Sequence, residues 1–380
     1  MQNRKTPGSS RRKSAGKSHG KSPGQILRDE ITRRRFMSGA AAVGLTFGAA
    51  PRLGWAQEEK ELNFYNWDTY IGDTTLEDFH EATGIEVSMS LYADNDELFA
   101  RLREGNPGFD VIVPSDTYVE RMILADMLMP LDHSKIPNYE NIAAPFRNNV
   151  EFDPGREHSM PYMWGTMGIG FRKSRTASPD SWKVVFDSDK YSGRIAWISE
   201  AVSMMGQAAM YRGYSYNTKD PDEIKAVEEM LIAQKPHVKV IAPDTGQDLL
   251  LSGEVDLAVE WSGDIVQVMA EDDDLSYIVP KEGGLLWEDC LCIPKDAPHP
   301  NNAHEFINFL LDAEVGAEIA ETIRYATPNE AARELMPEDY KNHPAIFPPE
   351  EVLEECESAL YRGEEVTRML EQSWTRILSA

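Results

Sequence analysis

The stretch that most constrains this chain is Asp110-Val111-Ile112-Val113-Pro114-Ser115-Asp116. Its three β-branched residues are all apolar, with no alternation, so a strand here needs cover on both faces. That is the pattern of a parallel sheet between helices, and it predicts an α/β fold. The preceding segments agree. Glu61 to Tyr65 alternates as a strand, and Leu76 and Phe79 share the face of a helix that Asp73 is expected to cap and Gly84 to end. Ile85 to Val87 resumes strand, and Asp96 to Arg103 reads as a second helix. In such sheets ligands sit beyond the carboxyl ends of the strands. The small polar residues after Val113 occupy such an end.

A second stretch, Gly283 to Pro294, reads as a buried strand over Leu285 to Ile293, opened by a glycine turn and stopped by proline. Side chains alternate along a strand, so Trp287 and Asp289 share one face and Glu288 takes the other. A carboxylate beside an indole suits an organic cation, through charge-assisted hydrogen bonds and attraction to the ring face. A plainer assignment makes Trp287 core and Asp289 a strand-end cap; the segment alone is compatible with both.

Between these stretches, Pro161 to Thr166 reads as an extended crossover to a second lobe. There Arg194 to Ser199, Lys239 to Ile241 and Glu254 to Trp261 are expected strands, and Glu200 to Arg212, Asp222 to Gln234 and Asp244 to Ser252 expected helices. Ser262-Gly263-Asp264 opens another helix, where Asp264 is either a capping residue or a functional carboxylate. Helices over Ala303 to Leu311 and Glu314 to Ile323 precede a loop, Arg324 to Asn329.

Charge is distributed unevenly. Residues 1–56 carry a net charge of +10, which leaves −36 of the chain's −26 total on residues 57–380. An acidic body argues against nucleic acid and for cations, or for simple solvation or a salty habitat. Within the basic leader, Arg33-Arg34-Arg35-Phe36, the apolar run Ser38 to Ala50 and Gly54-Trp55-Ala56 resemble a twin-arginine export signal. Maturation near Gln57 and export by the twin-arginine machinery follow as expectations. Cys290, Cys292 and Cys356 lack metal-site spacing and read as small buried hydrophobes, with a bridge from Cys356 left open.

Taken together, Asn66-Trp67-Asp68-Thr69-Tyr70, Val113-Pro114-Ser115, Pro161-Tyr162-Met163-Trp164-Gly165, Trp261-Ser262-Gly263-Asp264, Trp287-Glu288-Asp289 and Tyr325-Ala326-Thr327-Pro328-Asn329 resemble the periplasmic polyamine-binding proteins. These are the substrate-binding components of spermidine and putrescine ABC transporters. The resemblance runs from about Leu62 to Leu335. It implies a type II periplasmic binding protein, each lobe a mostly parallel sheet flanked by helices, with a hinge between lobes. One lobe is expected over residues 57–165 and 289–335, the other over 166–288 and 336–380.

The resemblance also implies an aromatic box of Trp67, Tyr70, Trp261, Trp287 and Tyr325, charged contacts from Asp289 and Glu200, and a polar contact from Ser115. Asp68 stands where spermidine binders usually have Thr or Ser, Ser203 where a second glutamate is common, and Thr117 where an aromatic is sometimes found. Asp264 follows the putrescine-binding members. The expected function is polyamine capture in the periplasm and delivery to a membrane permease, without cofactor or metal. A polyamine sensor, or a binder of another organic cation, is the alternative. An enzyme would need a nucleophile-base pair or a metal set, and the histidines show no such spacing.

Overall fold

The computed structural model describes residues 58–380 apart from residue 149. The expected export signal lies outside the described residues. The first unit follows the predicted alternation: β1 (Glu61–Asn66), α1 (Thr75–Thr83), β2 (Glu86–Leu91), α2 (Asn95–Arg103), β3 (Val111–Ile112) and α3 (Asp116–Leu124). β1 lies parallel to both β2 and β3, in the register Phe64↔Val111. Phe64, Phe79 and Phe306 meet edge to face at 4.9–5.1 Å, which packs α1 and the helix Pro300–Leu310 onto this sheet. One boundary differs from expectation. The amide of Asp78 bonds to the Thr74 carbonyl, so α1 opens after Thr74 and Asp73 is not its cap. Gly84 ends it in the left-handed conformation, as expected.

β4 (Ser159–Arg172) is a single 14-residue strand that absorbs the predicted crossover. The others are β5 (Ile195–Ile198), β6 (Val238–Ala242), β7 (Leu257–Trp261), β8 (Leu275–Ile278), β9 (Leu285–Cys292) and β10 (Glu357–Ser358). Up to Thr166, β4 pairs antiparallel with β9; from Met167 it pairs antiparallel with β7 and β8. Beyond β7 the sheet continues parallel through β5 to β6. The sheet order is therefore β2-β1-β3-β9-β4-β7-β5-β6, with parallel edges and an antiparallel centre. The change of partner between Thr166 and Met167 is where one half of the sheet hands over to the other.

The far face of β9 explains Glu288. It pairs with Arg156, which is fully buried and also donates from Nε to the Phe146 carbonyl at 2.8 Å. All three cysteines are free thiols. Cys356 sits just before β10, beside Leu285 and Leu286, at the opposite end of β9 from Cys290 and Cys292, so the bridge left open by the sequence does not form. No helix among the described residues is long and apolar enough to cross a membrane.

Candidate functional site

Asp289 enters the site from β9, 6% exposed, and bridges directly to Ser115 at the start of α3. One carboxylate oxygen accepts from Ser115 Oγ at 2.6 Å and the other from Tyr70 OH at 2.9 Å. Asn95 fixes Ser115 in turn, donating to its hydroxyl at 2.9 Å and accepting from its amide at 3.1 Å. Burial pushes the Asp289 carboxyl up to about 7, against the downward pull of those two hydroxyls.

Asp264 comes from the helix Ser262–Met269, which begins directly after β7. Tyr325 OH donates to it at 2.7 Å, and its carboxylate takes that hydroxyl instead of a backbone amide of its own helix. This is not the geometry of a capping residue. Burial, reinforced by the charge of Asp244, pushes Asp264 up to about 8. Glu200 precedes the helix Ala201–Tyr211, accepts from Ser203 Oγ, and is pushed up to about 7 by burial first. Ser203 thus supports Glu200 from the position where the resembled family often has a second glutamate. None of these three carboxylates has a Lys, Arg or His partner among the described residues.

Aromatic rings connect the carboxylates. Trp287 meets Trp261 at 6.0 Å and Tyr325 at 5.2 Å, both near perpendicular, and Tyr325 meets Tyr70 at 5.6 Å. Trp67 is held apart by Tyr92 at 4.6 Å and donates from Nε1 to the Val113 carbonyl at 2.9 Å. Asp68 lies exposed on the adjoining loop, where it accepts from the Thr69 amide at 3.0 Å. All ten predicted residues, Trp67, Asp68, Tyr70, Ser115, Glu200, Trp261, Asp264, Trp287, Asp289 and Tyr325, line one cavity of about 430 Å³.

Sequence reading missed several other lining residues. Asp94, Asp96 and Asp116 sit at the openings of α2 and α3, where capping is the simpler reading; Tyr216, Asp244 and Trp374 arrive from distant elements. The lining contains Asp and Glu but no Lys, Arg or His. Such a wall favours cations.

Residues 74–348 match the family described as bacterial extracellular solute-binding protein. The chain belongs to this family. Among similar solute-binding proteins is the putrescine-binding periplasmic protein SpuD of Pseudomonas aeruginosa, 34% identical over 366 residues, which cover 91% of this chain and 99% of that protein. The spermidine/putrescine-binding periplasmic protein of Escherichia coli is 34% identical over 333 residues, 86% of this chain and 92% of that one. Among solved structures, the spermidine/putrescine ABC transporter substrate-binding protein PotD of Streptococcus pneumoniae superposes with a TM-score of 0.75 at 32% identity, covering 84% of this chain and 98% of that one. The fold is that of the two-lobed periplasmic solute-binding proteins.

Proposed function

We propose that this protein captures a polyamine in the periplasm and delivers it to an ABC permease in the membrane. The observation that carries the reading is a cavity walled by aromatic rings and by buried carboxylates, with no basic side chain in its lining. A polyamine carries an ammonium at each end and methylenes between. Its ends need carboxylates that burial has made short of positive charge, and its chain needs flat apolar walls. Asp289 and Asp264, joined by the rings of Tyr70, Tyr325 and Trp287, supply both. An amino-acid ligand fits less well, since its own carboxylate would meet only carboxylates. Binding is the role we assign, in keeping with relatives that are named as binding proteins. The relatives named for putrescine and spermidine support the same ligand class.

In this reading residues 57–165 with 289–335 form one lobe and residues 166–288 with 336–380 the other, closing around the ligand. Asp289, Tyr70 and Ser115 act from the first lobe, and Glu200, Trp261 and Asp264 from the second.

Calorimetry with putrescine, spermidine, lysine and arginine tests the proposal. Both polyamines are expected to bind and the amino acids to bind far more weakly. Removing one carboxylate from a buried ammonium costs about 2 to 5 kcal/mol. Asp264→Ser should therefore weaken putrescine by at least about thirtyfold, and spermidine, with a further nitrogen to compensate, by less. Wild-type protein that takes lysine or arginine in preference to either polyamine would refute the assignment.

A further inference from the structure

One arginine stands where the acidic cleft opens. Arg121, on α3, is only 14% exposed, and its guanidinium lies over the Phe99 ring at 4.0 Å. Its Nε donates to Glu364 at 3.2 Å and a terminal nitrogen reaches the same carboxylate oxygen at 3.1 Å. Tyr361 donates its hydroxyl to that oxygen at 2.8 Å, and its backbone amide to Glu120, also on α3, at 3.1 Å. On its other side Arg121 faces Asp96 at 3.6 Å, which accepts from Tyr118 at 2.7 Å.

These contacts join distant parts of the chain. α2 and α3 flank the β1-β2-β3 end of the sheet. Glu364 opens the last helix, Glu364–Ser379, which packs on the helices Ala201–Tyr211 and Pro221–Gln234 between β5 and β6. The tie also borders the cavity, because Asp96 and Tyr118 line it from one side, and Thr367 and Glu371 from the other. An ion pair between two exposed side chains contributes little. This one differs: the arginine is largely withdrawn from water, stacked on a ring, and held with two nitrogens on one carboxylate at a helix N-terminus, where negative charge is favoured.

We propose that Arg121 is a positioning residue for ligand capture, clasping α3 to the last helix across the mouth of the closed cleft and so setting how long a bound polyamine is retained. The proposal rests on the polyamine reading and on the two-lobed closure that goes with it. A contact made only when the lobes are together should act on escape and leave encounter nearly unchanged.

Stopped-flow measurement of putrescine and spermidine binding tests this. Glu364→Gln changes a carboxylate side chain that is 70% exposed and leaves the interior intact. It should speed dissociation by about tenfold while association stays within about twofold. Arg121→Lys keeps the charge and loses the planar fork, so it should fall between wild type and Glu364→Gln. Glu228→Gln, which removes the Arg376 pair within one lobe, should leave dissociation unchanged. Unaltered dissociation in both Glu364→Gln and Arg121→Lys, with wild type binding polyamine normally, would overturn the clasp and leave the functional reading standing. Wild type that binds neither polyamine would remove the reading beneath it.

Discussion

Trp287 is where packing and recognition compete for the same side chain. It is 8% exposed, belongs to the main core, and also lines the cavity between Trp261 and Tyr325. Trp287→Ala should weaken polyamine binding by about 2 to 4 kcal/mol, through lost chain packing and ring attraction. It should also lower the melting temperature while leaving a cooperative transition, because a chain of this size buries core well beyond one ring. Circular-dichroism melting beside calorimetry checks both, and a variant that is unfolded without ligand would make Trp287 a core residue only. At this scale the candidate residues were legible where chemistry sits in short motifs, just after a strand for Ser115 and Asp264 and within β9 for Asp289. Asp116 and Trp374 were not legible, because a helix-opening aspartate and an amphipathic tryptophan have commoner explanations and only the tertiary fold brings them to the cavity.

Among the elements, β4 and β9 decide how the rings are seated. At Gly165 on β4 a Cβ would meet Trp287 Cζ2 at 2.6 Å and Ser262 Oγ at 2.9 Å. Gly263 has the same relation to Tyr325, whose ring would lie 2.5 Å away. Each glycine lets the backbone approach an aromatic wall that a side chain would displace. Overpacking of this kind costs about 1 to 3 kcal/mol. Gly165→Ala should accordingly reduce polyamine affinity by about tenfold and shift tryptophan fluorescence, with the sheet intact; affinity equal to wild type would show that the Trp287 position is not critical. The parallel unit β1-α1-β2-α2-β3 was readable because its periodicities are local. β4 was not readable as one strand, since its continuity comes from exchanging β9 for β7 and β8, a long-range event with no local signal. The last helix likewise went unassigned, although it forms part of the cavity wall.

For the whole molecule, the consequence of collecting unpaired carboxylates is a dependence on pH. Asp289 and Glu200 are held at about 7 and Asp264 at about 8, each chiefly by burial, whereas in an unfolded chain they ionise near 4. Between those limits the native protein keeps protons that the unfolded chain has released. These groups therefore contribute most to stability below about pH 4, and the contribution is lost as pH rises toward 7 to 8. Ligand reverses the trend, because an ammonium stays charged throughout this range and favours the ionised carboxylates, so binding should expel protons. Affinity for putrescine should rise by roughly tenfold per pH unit for each proton expelled, between about pH 6 and pH 8, and then level off. The thermal shift on adding ligand should grow over the same interval as the ligand-free melting temperature falls. Calorimetry at pH 6.5 in two buffers of different ionisation enthalpy measures the protons directly. A positive count released to buffer is the expected outcome; zero release, with affinity flat from pH 6 to 8.5, would mean that the carboxylates are already ionised before the cation arrives and that the cavity recognises it without changing their protonation.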